Sequence, residues 1–283
     1  MVSFIILHYK NLKDTIECIE SIQKLKTKEK KNIVVVDNHT LDEKGIQKLK
    51  EYTEDIILLK ENMGFAKANN KGCEYAIEKY HPSFLCVINN DTVITQEDFI
   101  ERINQIYEET DFDMLGPYIE CKEGSGSVNP YQPLKTKEEV EKEKKNQQKL
   151  LKVYQSPVLY FLLTLGIKIK RIFKKREPMR NGTLREENVA LHGCAIIFSK
   201  KYCEKFKNVF YPNTFLYHEE SFLYQRIQEY GLISIYDPSI KIIHKEGASL
   251  SLEMNHNERK KLLFRTQEIM KSLKLLEQEM QKK

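Results

Sequence analysis

The stretch Val87–Thr92, with the sequence VINNDT, places two amide side chains and one carboxylate directly after an apolar run. That run, Phe84–Ile88, predicts a buried β-strand. A carboxylate at the exposed end of a strand suits a divalent cation bound to a diphosphate, because such a cation needs few protein oxygens. Taken alone, an Asn-Asn-Asp triplet also forms ordinary turns and helix caps. The stretch therefore indicates a candidate binding site that needs support from other segments.

Three more β-branched runs precede this strand, at Val2–Leu7, Ile33–Val36 and Asp55–Leu59. Apolar residues at helical spacing lie between the runs, in Asp14–Leu25 and Phe65–Lys79, and the opening aspartate of the first helix is its expected N-cap. This alternation predicts an α/β fold with a mixed, mostly parallel sheet flanked by helices. In such open sheets, ligands bind at the carboxyl ends of the strands.

The composition excludes several classes of protein. The 283 residues include 46 basic and 41 acidic side chains, a formal net charge of +5. This excess is too small for a typical nucleic-acid-binding domain, so no nucleic-acid partner is expected. The six cysteines show no Cys-x-x-Cys pair, and the apolar N-terminus lacks a basic segment ahead of it. We therefore expect a reduced, cytoplasmic protein without an ordinary membrane-spanning helix.

Two further motifs follow the predicted strands. Val34–Asn38 repeats the strand-end arrangement, and Asp37 suits a hydrogen bond to a ribose or to the edge of a base. Asn62–Gly72 follows the third strand and contains small residues, as expected where a backbone approaches a ligand closely. A helix start with a glycine turn explains the second motif equally well.

The order of these segments resembles the family 2 glycosyltransferases, which have the GT-A nucleotide-sugar-binding fold, and in particular polysaccharide-biosynthesis and rhamnosyltransferase-like members. The resemblance extends over residues 2–250, apart from residues 122–187, and includes His192–Phe198 as the strand beside the donor sugar. It implies a set of nucleotide-sugar-binding residues: His8, Tyr9, Asp37, Asn38, Asn62, Gly64, Phe65, Asn69, Asn70, Asn90, Asp91, His192 and Gly193.

The resemblance also implies a metal site. Asn89–Asp91 stands where the family has its Asp-x-Asp motif, and asparagine replaces the first aspartate, which leaves Asp91 as the main carboxylate ligand. His244 ends the predicted strand Ile233–His244, ahead of Gly247–Ser249, where relatives present a histidine to the metal. One imidazole nitrogen among oxygen ligands is compatible with Mn²⁺. We therefore expect Mn²⁺ or Mg²⁺ as the cofactor, bound by Asp91 and His244.

Phe215–Glu220 resembles the aromatic run that leads to the family's Glu-Asp catalytic motif. The resemblance implies that Glu220 is the general base and that Glu219 orients or binds the acceptor. A further aspartate of the motif is Phe222 here, which leaves the acceptor open. The implied reaction is inverting transfer of a hexosyl or deoxyhexosyl group from a UDP- or dTDP-linked donor to a glycan or lipid-linked acceptor.

The expected domains are a GT-A domain at residues 1–250, with a charged and amphipathic helical insert at 122–187, and a C-terminal amphipathic helix at 251–283. In the insert, an apolar part of residues 150–176 is followed by six basic residues in nine positions, Lys168–Arg176. This pattern fits a helix in the interface of an anionic membrane at the inner face of the cell, or a helix packed on the sheet. The C-terminal helix is expected to pair with a second copy or to cover the sheet.

Two other functions stay open. A sugar-1-phosphate nucleotidyltransferase uses a similar sheet and metal, but His8 and Tyr9 stand where its Gly-rich phosphate loop is expected. A non-catalytic interaction protein, held together by a helix at Lys135–Lys149 and by the C-terminal helix, leaves the acids at the strand ends unexplained.

Overall fold

A computed structural model of the chain describes residues 1–121, 126–171, 182–245 and 257–282. The strands are β1 (Val2–His8), β2 (Lys31–Asp37), β3 (Asp55–Leu58), β4 (Phe84–Asn89), β5 (Thr92–Val93), β6 (Met114–Cys121), β7 (Glu186–Glu187), β8 (Ala195–Ser199) and β9 (Ser234–His244). The helices are α1 (Leu12–Gln23), α2 (Glu43–Lys50), α3 (Gly64–Tyr80), α4 (Phe99–Thr110), α5 (Lys137–Gln155), α6 (Pro157–Arg171), α7 (Lys200–Lys205), α8 (Glu219–Tyr230) and α9 (Glu258–Gln281).

The described strands form one mixed sheet in the order β3-β2-β1-β4-β8-β6-β9-β5, with β7 paired to β9. Strands β1 to β4 pair in parallel, as do β6 and β9, whereas β8 is antiparallel to both β4 and β6. Helices cover both faces of the sheet. The predicted α/β fold with a mostly parallel sheet is therefore confirmed.

The apolar strands are explained by burial on both faces of the sheet. All seven residues of β1 are buried: Phe4 and Ile6 belong to one core cluster, and Ile5 and Leu7 belong to the other. Successive side chains of a strand point to opposite faces, so a central strand covered on both sides must be apolar throughout. Helices α1 and α4 cover the first face, and α3 covers the second.

Local structure differs from the prediction at two places. The N-cap of α1 is Asn11, whose side chain accepts a hydrogen bond from the Asp14 N–H at 3.3 Å, so the expected aspartate cap is wrong. The strand expected at His192–Phe198 begins only at Ala195, because a turn that begins at His192 precedes it.

The insert contributes a helical layer. Thr136 and Glu139 form a capping box that starts α5, and Ser156 separates α5 from α6. None of the described helices is long and apolar enough to cross a membrane. Of the predicted basic run, residues 172–176 lie outside the described residues, as does Gly247–Ser249.

The C-terminal helix α9 packs against α5 and α8. Its apolar face buries Ile269, Leu273 and Leu276 against Val140 of α5 and Phe222 of α8. The face predicted from the sequence is therefore buried within the chain, against helices of the insert and of the site region.

Candidate active site

The carboxyl ends of three central strands meet at one edge of the sheet. The register of the parallel ladders pairs His8 of β1 with Asp37 of β2, and Leu7 of β1 with Asn89 of β4. Asn90 and Asp91 follow β4 directly. Polar residues from three separate motifs are thereby gathered at the edge where ligands bind in open α/β sheets.

Asp91 and His244 join the two halves of the sequence at this edge of the sheet. Strand β5 pairs antiparallel with the end of β9, which places Thr92 opposite His244. His244 Nε2 lies 3.2 Å from Asp91 Oδ1, and the Lys245 N–H donates a hydrogen bond to the Asp91 carbonyl at 3.0 Å. Both side chains are buried, and His244 Nδ1 has no partner among the described residues. An oxygen and a nitrogen donor therefore converge at the strand ends.

This donor set fits a divalent cation that is shared with a ligand. Among the described residues, no three His, Cys, Asp or Glu side chains are grouped to hold a metal ion by themselves. Asp91 and His244 supply one carboxylate and one imidazole, a combination compatible with Mn²⁺. The remaining ligands of such an ion would come from a diphosphate and water, as is common for Mg²⁺ at phosphate sites.

His8 lies beneath this edge of the sheet. It is fully buried, and its Nδ1 lies 2.6 Å from Thr15 Oγ1. Asn90 Nδ2 donates to the same Thr15 oxygen at 3.0 Å, which fastens the segment after β4 to α1. Burial lowers the pKa of His8 to about 4, against the opposing effect of the negative Asp37. The imidazole is therefore neutral near pH 7 and supports the site from below.

Asp37 holds the loop that follows β2. Its carboxylate accepts hydrogen bonds from the Thr40 N–H at 3.0 Å, the Thr40 hydroxyl at 3.1 Å and the Leu41 N–H at 3.3 Å. An ionised carboxylate has further lone pairs, so these bonds do not exhaust its capacity to accept hydrogen bonds. The capping of this loop is a role that the sequence motif does not reveal.

Asn38 and Asn62 form a hydrogen-bonded layer beside Tyr9. Asn38 Nδ2 donates to Asn62 Oδ1 at 2.8 Å, and the Met63 N–H donates to Asn38 Oδ1 at 2.8 Å. Asn62 in turn accepts from the Gly64 N–H at 2.9 Å and donates to the Tyr9 hydroxyl at 3.3 Å. Three of the predicted nucleotide-sugar-binding residues from separate segments, Tyr9, Asn38 and Asn62, therefore lie in one hydrogen-bond network.

Gly64 joins this network to the second half of the chain. Its φ of +75° favours glycine, and a Cβ there would lie 2.3 Å from the Phe215 carbonyl oxygen. The adjacent Phe65 N–H donates to that oxygen at 2.7 Å. A small residue was expected here for close approach to a ligand, but the neighbour is the protein's own backbone.

Asn69 and Asn70 make their hydrogen bonds to protein backbone. Asn70 donates to the Phe210 carbonyl at 2.9 Å and accepts from the Phe210 N–H at 2.8 Å. Asn69 Nδ2 donates to the Phe65 carbonyl at 3.1 Å, and its buried Oδ1 has no partner among the described residues. Both asparagines therefore hold α3 and its neighbours in place.

The turn at His192 and Gly193 lies between His244 and the two glutamates, Glu219 and Glu220, at the start of α8. The His192 ring centroid is 6.2 Å from that of His244, and the Gly193 N–H donates to Glu220 Oε1 at 3.0 Å. A Cβ on Gly193 would lie only 3.1 Å from that oxygen. Glycine thus allows the backbone to hold the carboxylate.

Glu219 and Glu220 begin helix α8. Tyr217 and His218 have positive φ angles of 71° and 66°, which turn the chain sharply into the helix. A helix N-terminus stabilises negative charge, so this is a favourable position for carboxylates. Glu219 is buried, and burial together with the charge of Glu220 raises the pKa of Glu219 to about 8. Glu220 is more exposed, so the two acids have different environments.

Sequence reasoning missed two residues that shape the site. The buried Asn129 accepts a hydrogen bond from the His192 N–H at 2.7 Å and donates to the Pro117 carbonyl at 2.9 Å. The Tyr131 ring packs edge-on against His192 with centroids 5.9 Å apart. Both belong to the predicted insert, where no motif marks them. The insert therefore supplies part of the site.

Comparison with solved structures identifies the fold. A structure of S. aureus TarS 1-349 aligns with a TM-score of 0.51 and 14% identity, over 93% of this chain and 69% of that chain. GalNAc-T7, solved with UDP, GalNAc and Mn²⁺, aligns with a TM-score of 0.57 and 13% identity, over 92% of this chain and 49% of that chain. TarS 1-349 in complex with UDP-GlcNAc aligns over 44% of this chain and 36% of that chain, at 21% identity and a TM-score of 0.38. The fold is that of GT-A glycosyltransferases.

Comparison of sequences identifies the family. No curated protein matches the chain. The family model described as glycosyl transferase family 2 matches residues 3–226, which cover both the strand-end motifs and the acids of α8. This match favours a glycosyltransferase over the nucleotidyltransferase and the interaction protein. The chain therefore belongs to glycosyl transferase family 2.

Proposed function

We propose that this glycosyltransferase moves a hexosyl or deoxyhexosyl group from a UDP- or dTDP-linked donor to an acceptor hydroxyl, with inversion. The observation that carries the proposal is a continuous cluster of three contacts. Glu220 accepts a hydrogen bond from the Gly193 N–H, Gly193 follows His192 in the chain, and the His192 ring packs against His244. A single displacement needs a base on the acceptor side and stabilisation of the diphosphate on the donor side. The two ends of this cluster suit those two tasks.

Asp91 and His244 act on the donor side. They would hold Mn²⁺ or Mg²⁺, which supplies Lewis-acid stabilisation of the departing diphosphate when bound. The Lys245 N–H fixes the Asp91 backbone, and the β5–β9 pairing fixes His244 beside it. The Mn²⁺ and UDP in the GalNAc-T7 structure support a divalent cation and a nucleoside diphosphate as the ligands of such a fold.

Glu220 acts on the acceptor side. Its Oε1 is held by the Gly193 N–H, and the carboxylate takes the proton from the acceptor hydroxyl as that oxygen attacks the anomeric carbon. The raised pKa of Glu219 keeps its carboxyl protonated at neutral pH, so Glu219 donates a hydrogen bond and orients the acceptor. A protonated neighbour also spares Glu220 a second adjacent charge.

The nucleotide-sugar lies along the strand ends. Tyr9, Asp37 and Asn62 face the nucleoside, because their side chains or loops surround the end of β1 and β2. The other proposed donor-site residues, which stabilise this surface from the sides and from below, are His8, Asn38, Gly64, Phe65, Asn69, Asn70, Asn90, His192 and Gly193.

We also propose that residues 1–250 with the insert 122–187 form the catalytic domain, and that the helix within residues 251–283 is fastened to it through α5 and α8.

The acceptor is a glycan or a lipid-linked intermediate. Residues 150–176 make peripheral contact with the inner face of the cell membrane. In support, α6 exposes five large apolar side chains at 42% to 67%: Val158, Leu159, Phe161, Leu162 and Leu165. A homodimer formed through these exposed side chains of α6 would compete with the membrane for the same surface.

Replacement of the base tests the proposed chemistry. The substitution Glu220→Gln removes the proton acceptor but keeps the shape, so turnover falls roughly 10²- to 10⁴-fold while donor affinity stays close to wild type. Turnover is measured as release of nucleoside diphosphate with purified donor and acceptor. Glu229→Gln, an exposed change at the far end of α8, is the matched control and retains turnover. Ordinary turnover by Glu220→Gln would refute the assignment.

The raised pKa of Glu219 predicts a pH dependence of stability. Between the ordinary pKa of 4.5 and the folded value of about 8, the folded protein keeps a proton that the unfolded chain releases. The ionisable carboxyl therefore reduces the free energy of unfolding increasingly as pH rises through this window. Glu219→Gln removes the effect, so the variant gains on the order of 1 kcal/mol per pH unit relative to wild type. Urea unfolding at pH 5 and pH 8 measures this, and a difference that is equal at both pH values would contradict it.

Membrane contact is tested by flotation with anionic liposomes. Replacing the basic residues of the run by glutamine (Lys168, Lys170, Arg171, Lys174, Lys175 and Arg176) removes the attraction to negatively charged lipid, worth about 1 kcal/mol for each cation near the surface. The wild-type protein is expected to float with the liposomes and the variant to remain at the bottom. Equal flotation of the two proteins would exclude electrostatic docking.

A further inference from the structure

A series of aromatic and cationic side chains connects Glu220 with the exposed helix α6. We call it the acceptor-side cluster, and its members are Tyr131, Tyr154, Tyr160, Tyr217 and Arg265. Two of its members lie on α5 and α6 of the insert and one on the C-terminal helix. None of the cluster belongs to the motifs that define the donor side.

The cluster begins beside the catalytic acids. Tyr131 packs against His192, and its pKa is raised by burial first and then by the negative charges of Glu220 and Glu219. The positive charge of Arg265 lowers the pKa of the same tyrosine. The geometry that places Arg265 near the acids is its position over the ring of Tyr217, which lies directly ahead of His218 and the two acids in the chain.

Arg265 is an exposed cation next to an aromatic ring. Its guanidinium carbon lies 5.7 Å from the centroid of the Tyr217 ring. No carboxylate in the described parts of the chain lies within 4.0 Å of this guanidinium. The other charged groups near Tyr131 are Glu220 and Glu143, since the Glu219 carboxyl is protonated at neutral pH, so the acceptor side otherwise carries negative charge. A planar guanidinium with free N–H donors suits a phosphate, which it binds through two parallel hydrogen bonds.

The cluster ends at the exposed apolar surface. The positive charge of Arg265 also lowers the pKa of Tyr154. The Tyr154 ring packs against that of Tyr160 in the first turn of α6, with centroids 6.1 Å apart. Arg259, six residues before Arg265 on α9, donates hydrogen bonds to the Tyr154 carbonyl at 3.2 Å and the Gln155 carbonyl at 3.3 Å. The end of α5 and the start of α6 are thereby fixed to the same helix that carries Arg265.

We propose that Arg265 binds a phosphate group of a lipid-linked acceptor. The lipid chain contacts the exposed face of α6, the phosphate pairs with Arg265, and the acceptor hydroxyl reaches Glu220. This inference rests on the proposed function and narrows its acceptor to a phospholipid-type carrier. The order of apolar face, cation and base along the cluster matches the order of lipid, phosphate and hydroxyl in such a molecule.

Farnesyl diphosphate is a soluble probe of this site. Calorimetric titration of the full chain uses EDTA, so that no cation holds the diphosphate at Asp91 and His244. The wild-type protein is expected to bind the probe, and Arg265→Gln to weaken binding about tenfold or more, because a charge-assisted contact is lost. Arg265→Lys keeps the charge and is expected to weaken binding less. Lys274→Gln, an exposed change of equal charge on α9, is the matched control and binds as wild type does.

Two neutral or lipid-free probes separate the sources of binding. Farnesol and inorganic pyrophosphate are each expected to bind at least tenfold more weakly than farnesyl diphosphate. No binding of farnesyl diphosphate to the wild type, or equal binding to Arg265→Gln, would overturn the proposal. If pyrophosphate binds as tightly as farnesyl diphosphate, the lipid contact that we propose would be overturned.

A separate titration with UDP and Mn²⁺ distinguishes this inference from the proposed function. Wild type and Arg265→Gln are expected to bind UDP equally, and a wild type that binds no nucleotide would contradict the proposed function instead.

Discussion

The site depends on one short ladder, the antiparallel pairing of Thr92–Val93 with the last two residues of β9. This pairing brings His244 to within 3.2 Å of Asp91, although 153 residues separate the two along the chain. A contact of such sequence separation has a high cost in loop-closure entropy, so the buried β6–β9 ladder beside it must hold β9 in register. A shift of β9 by one residue would turn the imidazole to the other face of the sheet. The proposed donor side therefore forms only when the whole sheet is assembled.

A second set of contacts places the acids of α8 against this edge. The Phe215 carbonyl meets the backbone at Gly64, and the Gly193 N–H meets Glu220, so two backbone contacts fix the start of the helix. The C-terminal helix supports the same segment from behind, since Ser272 Oγ donates to the Leu216 carbonyl at 2.9 Å. The acids are thereby held between the sheet and a helical layer. This rigidity suits the proposed general base, because the effect of such a base depends on geometry within tenths of an ångström.

Much of this arrangement could be predicted from the sequence, because strand patterns are local. The alternation of apolar runs and helical segments was sufficient to predict a parallel sheet, and parallel strands must end together, so the gathering of Asp37 and Asp91 followed. The contacts of Asn70 and Gly64 could not be predicted, since their neighbours belong to segments at least 140 residues away. Asn129 was missed for the same reason: it acts through the turn at His192, and no local pattern shows that contact.

The central claim is that Asp91 and His244 form one site for a cation and a nucleotide. Calorimetry with UDP, in the presence and absence of Mn²⁺, tests this most directly in the wild type, Asp91→Ala and His244→Ala. The account predicts that Mn²⁺ strengthens UDP binding by the wild type, and that either substitution alone removes this gain, because both side chains hold the same ion. If His244→Ala kept the full gain while Asp91→Ala lost it, the two residues would not share a cation, and the account would be contradicted.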